Sequence, residues 1–320
     1  MIDPTAGWYT SRMVKNVVAR RARAFARTAS IAVGSAAIAA CCGCAGPRAD
    51  AAAWPPAAET RPRVGLALGG GGARGFAEIG VIRVLEREKV PVDIVVGTSV
   101  GSLIGALYAD TGKSLDLEFS ALTVTNEDLF DYKALAILSG GFVKGDRLEE
   151  FLLARLKNRE IEKMALPFAA VATDLRTGTT VVFSRGPVAR AVHASAAIPG
   201  VFVPVTIEGQ TLVDGGVTNP VPADVARSLG ADVVIAVAIP SASPAKAPVT
   251  PIEVAYHAIT VMAAEIGRLR AREANVVITP NVGDTAYDDF SRKKQLIEAG
   301  EAAALAALPA IKAAIAARTR

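Results

Sequence analysis

Residues 64–101 read VGLALGGGGARGFAEIGVIRVLEREKVPVDIVVGTSVG and hold a strand–helix–strand pattern followed by the start of a second helix. The apolar run 64–68 predicts a strand, residues 75–89 have helical spacing, and 92–96 form a second apolar run. Short apolar runs that are bounded by glycine and joined by helices are typical of a parallel sheet with crossover connections. This stretch therefore predicts an α/β fold.

The same alternation continues toward the C-terminus, and it predicts a three-layer α/β/α sandwich with a mainly parallel central sheet. The further predicted strands cover 167–173, 179–183, 211–213, 233–238 and 276–278. The further predicted helices begin near Val100 and cover 146–157, 187–197, 221–229, 252–273 and 294–317. Apolar residues at steps of three and four in the last helix indicate packing on the domain and not insertion in a membrane. A mobile loop is expected at 241–251, which is rich in Ser, Ala and Pro.

Composition and charge narrow the class of protein. The chain has 320 residues, of which 51% are hydrophobic and 21% charged, and this excludes fibrous, coiled-coil and disordered chains. The net charge is +4, but residues 1–40 hold six basic groups and one acid. Subtraction (35 − 6 = 29 basic, 31 − 1 = 30 acidic) leaves about −1 for residues 41–320. Because the basicity belongs to the N-terminus, no nucleic-acid-binding surface is expected.

The N-terminal residues 1–40 are predicted to be an export signal. A basic stretch that ends at Arg27 precedes the apolar residues 28–40. As a helix, these thirteen residues would cover roughly 20 Å, which is short of the roughly 30 Å of a bilayer core. The alternatives are an ordinary secreted protein that is cut elsewhere and a loosely anchored cytoplasmic one. Met13 is an alternative start to Met1, since residues 1–11 lack signal character.

Residues 38–41, IAAC, resemble the lipobox of bacterial lipoproteins, in which the cysteine is acylated. Cys41 is therefore the predicted lipidation site, and the Ala- and Pro-rich residues 41–62 are the predicted tether between membrane and domain. Because Cys42 and not aspartate follows, inner-membrane retention is not signalled, and an outer-membrane location facing the periplasm is expected. The three cysteines lie within four positions, so they neither staple the fold nor complete a zinc site, and no metal is expected.

The most specific chemical signal is the sequence GTSVG at residues 97–101, here called the elbow. It follows an apolar run and opens a helix, and this is the context in which a Gly-x-Ser-x-Gly turn projects a nucleophilic serine above a sheet. Gly97 and Gly101 allow the strand and helix backbones to approach without Cβ clashes. The pattern predicts Ser99 as a nucleophile.

A second signal is the sequence GGGGARG at residues 69–75, here called the glycine loop. Consecutive glycines at a helix N-terminus direct several backbone N–H groups at one point, which suits an anion. Nucleotide binding is the less favoured alternative, because Asp93 begins its strand instead of ending it and no Gly-Lys-Ser/Thr follows. An oxyanion hole that faces Ser99 is favoured. Its predicted donors are the N–H groups of Gly70, Gly71 and Gly72.

A nucleophilic serine needs a base, and the chain offers two histidines and one well-placed acid. His193 and His257 lie in helical stretches, where a lone histidine is more often structural than catalytic. The sequence Asp214-Gly215-Gly216, here called the acid turn, follows a predicted strand, and its glycines free the chain to approach another loop. A carboxylate held within roughly 2.6–3.2 Å of a serine hydroxyl accepts its proton directly.

Together, the glycine loop, the elbow and the acid turn resemble the three motifs of the patatin-like phospholipase family. Residues 70–75 match its Gly-x-Gly-x-x-Gly oxyanion motif with its basic residue, the elbow matches its nucleophile motif, and the acid turn matches its Asp-Gly-Ala/Gly motif. The order and the spacings of some 27 and 115 residues also agree. The match covers residues 64–227. Its supporting motif residues are Arg74, Gly75, Gly97, Gly101, Gly215 and Gly216.

The resemblance implies a patatin-like fold and a Ser–Asp dyad without histidine, with Ser99 as nucleophile and Asp214 as base. It implies a serine acyl-ester hydrolase that acts on a phospholipid or lysophospholipid, with no metal or organic cofactor. Residues 63–286 are the expected hydrolase domain, and residues 287–320 are an expected helical extension. A catalytically silent, membrane-tethered binding or scaffold protein of the same fold is the alternative.

Three residues keep open roles at this stage. His193 stands where relatives often carry arginine, so a titratable ring replaces a fixed charge. Asp174 precedes a Thr-Gly turn and is expected to cap it, although it is also a second candidate base. Arg74 either orients the glycine loop, which is favoured, or binds a lipid phosphate.

Overall fold

The computed structural model describes residues 61–129, 131, 141–241 and 249–319. The predicted export signal, the lipidation site Cys41, the predicted tether up to residue 60 and most of the predicted loop 241–251 lie outside these residues. Arg61, near the end of the predicted tether, forms an ion pair of 2.7 Å with Asp93.

The strands of the described chain form one mixed sheet in the order β5-β6-β3-β2-β1-β7-β8, with β4 also paired to β3. The strands are β1 (Val64–Leu68), β2 (Ile94–Thr98), β3 (Phe168–Asp174), β4 (Thr180–Phe183), β5 (Val205–Ile207), β6 (Gln210–Asp214), β7 (Val233–Val237) and β8 (Val276–Ile278). Strands β3, β2, β1, β7 and β8 are parallel, and β4, β5 and β6 add antiparallel pairings. The mainly parallel sheet is confirmed. Strand β5 was not predicted because only one of its three residues is fully buried, which leaves no readable alternation.

The helices of the described chain agree with the sequence pattern in most places. They are α1 (Phe76–Arg87), α2 (Val100–Thr111), α3 (Ser114–Thr123), α4 (Asn126–Leu129), α5 (Asp146–Arg155), α6 (Val188–Ser195), α7 (Ala223–Ser228), α8 (Pro251–Ala271) and α9 (Lys293–Ala316). Helices α3 and α4 were not predicted. In α3 the apolar side chains of Leu115 and Phe119 are 74% and 73% exposed, so hydrophobicity does not mark a buried face there.

The sheet separates two hydrophobic cores, because successive side chains of a strand point to opposite faces. Val64, Leu66 and Leu68 of β1 face the first core, which helices α1, α2, α3, α5, α6 and α9 cover. Ala67 of β1 faces the second, smaller core, to which α7 and the end of α8 contribute. Helices therefore cover both faces of the sheet, and the predicted three-layer α/β/α sandwich is confirmed.

The last helix, α9, packs directly on α1. A Cβ at Gly300 would overlap the Ala77 carbonyl oxygen, and one at Gly80 would overlap that of Ile297, so the two backbones are in contact. By length and composition alone, the segment Phe290–Ala316 would also suffice to cross a membrane. In this structure Leu308 and Ile311 are buried in the first core, as the three- and four-residue spacing predicted, whereas Leu305 is 45% exposed.

Candidate active site

The elbow places Ser99 between the end of β2 and the start of α2. Its backbone has φ 56° and ψ −125°, a strained conformation for a residue with a side chain. Two glycines make this turn possible, since a Cβ at Gly97 would overlap the Gly101 carbonyl and one at Gly101 would overlap that of Leu68. Ser99 is only 7% exposed. This is the geometry of a nucleophile elbow.

Two other serines hold the strained turn in place. The Ser99 N–H donates to Ser195 Oγ at 3.0 Å, and that hydroxyl donates to the Val171 carbonyl at 2.6 Å. From the other side, Ser102 Oγ donates to the Ser99 carbonyl at 2.6 Å. The sequence analysis did not reveal this role of Ser195, because the bond joins residues 96 positions apart.

The glycine loop lies beside the elbow, and an ideal Cβ at Gly70 would be 3.4 Å from Ser99 Cβ. The Gly70 N–H donates to the Pro220 carbonyl at 2.9 Å, so Gly70 drops out of the donor set that the sequence predicted. Within the described part of the chain, the N–H groups of Gly71 and Gly72 have no hydrogen-bond partner. Gly72 has φ +60°, and a Cβ there would overlap the Tyr287 carbonyl oxygen.

Arg74 fastens the glycine loop from inside. Its Nε donates to the Gly71 carbonyl at 3.0 Å and a terminal nitrogen donates to the Pro240 carbonyl at 2.9 Å. The side chain is buried, although it also borders the cavity beside Ser99. These bonds give Arg74 the orienting role that the sequence analysis favoured. Gly75 allows the close approach of Val100, whose Cγ atoms are 2.6 Å from an ideal Cβ at that position.

Glu78 is a buried acid that the sequence analysis did not single out. It lies in the first turn of α1, where it is completely buried and where the Gly69 N–H is its polar neighbour. Burial raises the pKa of Glu78 well above its ordinary value, and the Gly69 N–H offsets this only in part. Burial therefore favours the neutral form of this carboxyl beneath the glycine loop.

The acid turn begins at the last residue of β6. Asp214 is paired with Ala172 of β3, while β2 is in register with β3 at Thr98 and Val171. Ser99 and Asp214 therefore lie level on either side of β3. A Cβ at Gly215 would overlap the Val171 carbonyl, so only glycine lets this turn lie so close to the sheet.

Asp214 is 6% exposed, and its Oδ1 accepts the Gly216 N–H at 2.6 Å. Burial raises the pKa of Asp214 to about 6, while hydrogen bonding to the Ser99 hydroxyl and the Gly216 N–H lowers it in part. The Ser99 hydroxyl therefore faces the Asp214 carboxylate. A carboxylate with this pKa is ionised at neutral pH and is a stronger base than an exposed aspartate.

Two cavities open from Ser99. The first, here called the large cavity, measures about 590 Å³ and is bordered by Asp214, by the glycine loop and by one side of α8. The second, here called the apolar cleft, measures about 80 Å³ and runs between α2, α3 and α5. Both are bordered by Gly72, Ser99, Ile198 and Tyr287, so they meet at the serine.

The other candidate bases lie away from this meeting point. His193 is 3% exposed, its Nδ1 lies 2.6 Å from Glu149 Oε1, and it borders neither cavity. Asp174 accepts the N–H groups of Arg176 and Thr177 at 2.8 and 3.1 Å, so it caps its turn as expected. In the described ranges, no group of three or more His, Cys, Asp or Glu side chains is placed to hold a metal ion.

Fold and site together define an α/β protein with a buried serine on a nucleophile elbow, a facing aspartate and free backbone donors. The family model for patatin-like phospholipases matches residues 66–227, just over half of the chain. The chain therefore belongs to the patatin-like phospholipase family.

Relatives agree with this assignment over the same part of the chain. An uncharacterized NTE family protein of Mycobacterium tuberculosis is 35% identical over 181 residues, which are 57% of this chain and 50% of that protein. Patatin-like phospholipase domain-containing protein 7 of Rattus norvegicus is 36% identical over 183 residues, 56% of this chain and 14% of that one. This chain thus spans half or less of the length of these curated relatives. Among solved structures, VipD from Legionella pneumophila aligns with a TM-score of 0.46 and 14% identity, covering 80% of this chain and 67% of that chain.

Proposed function

We propose that the protein is a serine acyl-ester hydrolase of the phospholipase A or lysophospholipase type, with Ser99 and Asp214 as its catalytic dyad. The observation that carries this proposal is the convergence of three groups at one point. The Ser99 hydroxyl faces a buried carboxylate. The N–H groups of Gly71 and Gly72, which have no partner among the described residues, border the same cavity. No metal or organic cofactor is needed for this chemistry.

In the first half of the reaction, Ser99 Oγ attacks the ester carbonyl carbon while its proton passes to the Asp214 carboxylate. The carbonyl oxygen becomes an oxyanion, and the Gly71 and Gly72 N–H groups donate to it. As the tetrahedral intermediate collapses, the carbon–oxygen bond to the alcohol breaks. The proton on Asp214 then passes to the leaving alkoxide, and the acyl group remains on Ser99.

In the second half, a water molecule gives its proton to Asp214 and attacks the acyl-enzyme. The same two N–H groups stabilise the second oxyanion, and the fatty acid leaves as Ser99 recovers its proton from Asp214. Both halves need one residue that alternates between base and acid near neutral pH. The pKa of Asp214, about 6, suits that task.

A membrane location completes the proposal. Acylation of Cys41 would anchor the chain to a membrane, with outer membrane facing the periplasm as the proposed site, and would bring the enzyme to phospholipid or lysophospholipid substrates. Metabolic labelling with a palmitate analogue tests the anchor. We expect label on the wild type and none on Cys41→Ala. Label that persists on this variant would contradict acylation at Cys41.

The active serine is tested with a fluorophosphonate probe and a soluble acyl ester on the purified protein. The wild type is expected to take the label and to hydrolyse the ester, and Ser99→Ala is expected to do neither. Ser228→Ala is the matched control, because Ser228 lies on α7 and borders neither cavity. Labelling of Ser99→Ala would contradict the assignment. A folded wild type that neither labels nor hydrolyses would favour the scaffold alternative.

A further inference from the structure

The two cavities that meet at Ser99 differ in chemistry as well as in size. The apolar cleft is bordered almost entirely by buried hydrocarbon side chains, with Ser99 and Tyr287 as its polar contributions. The large cavity has polar side chains around it from several elements. They are Arg74, Asp214, Ser241, Thr260, Arg268, Arg272, Thr279 and Tyr287. An ester that reaches Ser99 therefore meets an almost wholly apolar cleft on one side. On the other side it meets a wider cavity in which apolar side chains are mixed with charged and hydroxyl groups.

The position of the acid decides which part of an ester belongs to which side. Asp214 borders the large cavity, together with Gly216, and does not border the apolar cleft. The leaving alcohol receives its proton from Asp214, so its oxygen has to lie on the side of that carboxylate. The acyl chain is bonded to the opposite side of the carbonyl carbon and is therefore directed away from Asp214.

We propose that the apolar cleft holds the acyl chain and that the large cavity holds the alcohol part of the substrate. This assignment rests on the proposed function, since it requires Ser99 to be acylated. Two independent observations lead to it, the polarity of the two linings and the side on which Asp214 lies.

The far end of the cleft sets the limit on acyl length. Ala121 and Val124, at the end of α3, and Leu148 and Phe151 of α5 border the cleft but not the large cavity. A substitution at one of them therefore changes the lining of the cleft and not that of the large cavity. All four are at least nine-tenths buried, so a chain that reaches them is shielded from water. Each methylene group buried in such a site favours binding by about fourfold.

The large cavity owes its width to small residues on α8. Ala263, Ala264 and Gly267 all border it, and none of them borders the cleft. A larger side chain at Ala263 would narrow the space for the alcohol and leave the acyl side untouched. A substitution can therefore change the size of one cavity without changing the other.

The first experiment measures acyl-length selectivity with p-nitrophenyl esters from acetyl to dodecanoyl. For Ala121→Leu, which fills the far end of the cleft, we expect the ratio of kcat/KM for long over short acyl chains to fall at least tenfold. This figure corresponds to about two displaced methylene groups. Phe151→Ala enlarges the same region, and it should move the optimum to longer chains. Ile311→Ala removes buried volume from the first core at a position that borders neither cavity, and it should leave the ratio unchanged.

The second experiment keeps an octanoyl chain and varies the alcohol from methanol to glycerol and glycerophosphocholine. Ala263→Leu is expected to lower the ratio of kcat/KM for large over small alcohols by at least fivefold, while the acyl-length ratio stays at the wild-type value. The reverse pattern, in which Ala263→Leu changes acyl-length selectivity and Ala121→Leu changes alcohol selectivity, would overturn the assignment. The assignment would also be overturned if neither variant changed the acyl-length ratio or the alcohol ratio of kcat/KM.

Failure of the underlying function looks different from failure of this assignment. Loss of the proposed function means that the wild type neither labels with a fluorophosphonate nor hydrolyses any ester. Failure of the assignment alone means that Ser99 labels and turns over substrate, but with the wrong response to the two substitutions. If Phe151→Ala does not fold, Ala121→Leu still decides the acyl side.

Discussion

The parallel and antiparallel parts of the sheet each supply one side of the candidate site, and they do so in different ways. β1 and β2 lie side by side and parallel, so the glycine loop and Ser99 leave the sheet at the same edge within one strand–helix–strand unit. β6 runs against β3 and ends at that edge, where Asp214 lies level with Ala172. The nucleophile side is local in sequence, whereas the acid side depends on the pairing of distant strands.

This difference shows where the site is vulnerable. The elbow is fixed by glycines a few residues away, but Asp214 reaches Ser99 only in one register of β6 on β3. A shift of one residue would turn its side chain to the other face of the sheet. The following experiments test whether the two parts act as one unit, beginning with the largest expected effect.

Asp214→Asn removes the proposed base, which lies on the antiparallel part of the sheet, and leaves an oxygen to accept the Gly216 N–H. Because the amide cannot take the Ser99 proton, we expect kcat for a soluble ester to fall on the order of 10³- to 10⁴-fold. Steady-state kinetics at pH 8 measures this, with circular dichroism as the control for folding. A kcat within tenfold of the wild-type value would show that Ser99 and the glycine loop hydrolyse the ester without Asp214.

Gly72→Ala perturbs the parallel part. The residue has φ +60°, and the added Cβ would meet the Tyr287 carbonyl, so the loop has to shift and the oxyanion donors move with it. We expect kcat to fall on the order of 10²- to 10³-fold, as for loss of one oxyanion donor. Gly178→Ala is the matched control, since Gly178 also has a positive φ but nothing lies near its Cβ position. An equal fall in kcat in both variants would contradict the proposal that Gly72 positions the oxyanion donors.

The buried acid also affects stability, in the direction opposite to activity. Because folding raises the pKa of Asp214 from 3.8 to about 6, the stabilisation from its protonated form is complete below pH 3.8 and lost as pH rises through 6. At pH 8, Asp214→Asn should therefore be more stable than the wild type by on the order of 3 kcal/mol. At pH 4 the difference should largely vanish. Urea unfolding at both pH values measures this, and a difference that is independent of pH would contradict it.

The same pKa predicts the pH dependence of turnover. Asp214 accepts a proton only when ionised, so kcat/KM should rise about tenfold per pH unit up to about pH 6 and then level off. A stopped assay with an ester that is stable over pH 4–9 measures the profile. His193→Gln, which leaves the dyad intact, is expected to keep the bend where it is.

Ser195→Ala tests the bond that joins α6 to the elbow. The Ser99 N–H and the Val171 carbonyl would lose their hydroxyl partner, so we expect kcat to fall about tenfold with KM nearly unchanged. Ser102→Ala is the matched control, because the Ser99 carbonyl that loses this hydroxyl keeps the N–H groups of Ser102 and Leu103. A larger fall in kcat for Ser102→Ala than for Ser195→Ala would contradict the proposal that Ser195 holds the elbow in place.

Strands and helices with a clear hydrophobic pattern were predicted from the sequence, whereas those with a weak pattern were missed. Strands β1 and β8 have the predicted bounds because each is a continuous apolar run. β1 is buried throughout, whereas the middle residue of β8 is exposed. Helix α3 was missed because its apolar side chains are partly exposed, and β5 because it is short. Gly70 was predicted as a donor because the sequence shows a run of glycines but not Pro220, which accepts its N–H.

The amino-acid sequence by itself determined the parallel core, the elbow, the glycine loop and the acid turn. These features depend on near neighbours, since glycine content and apolar runs control the backbone locally. Only the tertiary structure decided which N–H groups stay free, how deeply Asp214 is buried, that Ser195 supports Ser99, and that two unlike cavities meet there. Each of these depends on strand register and on packing between segments far apart in the chain, and both are set when the whole core closes around the site.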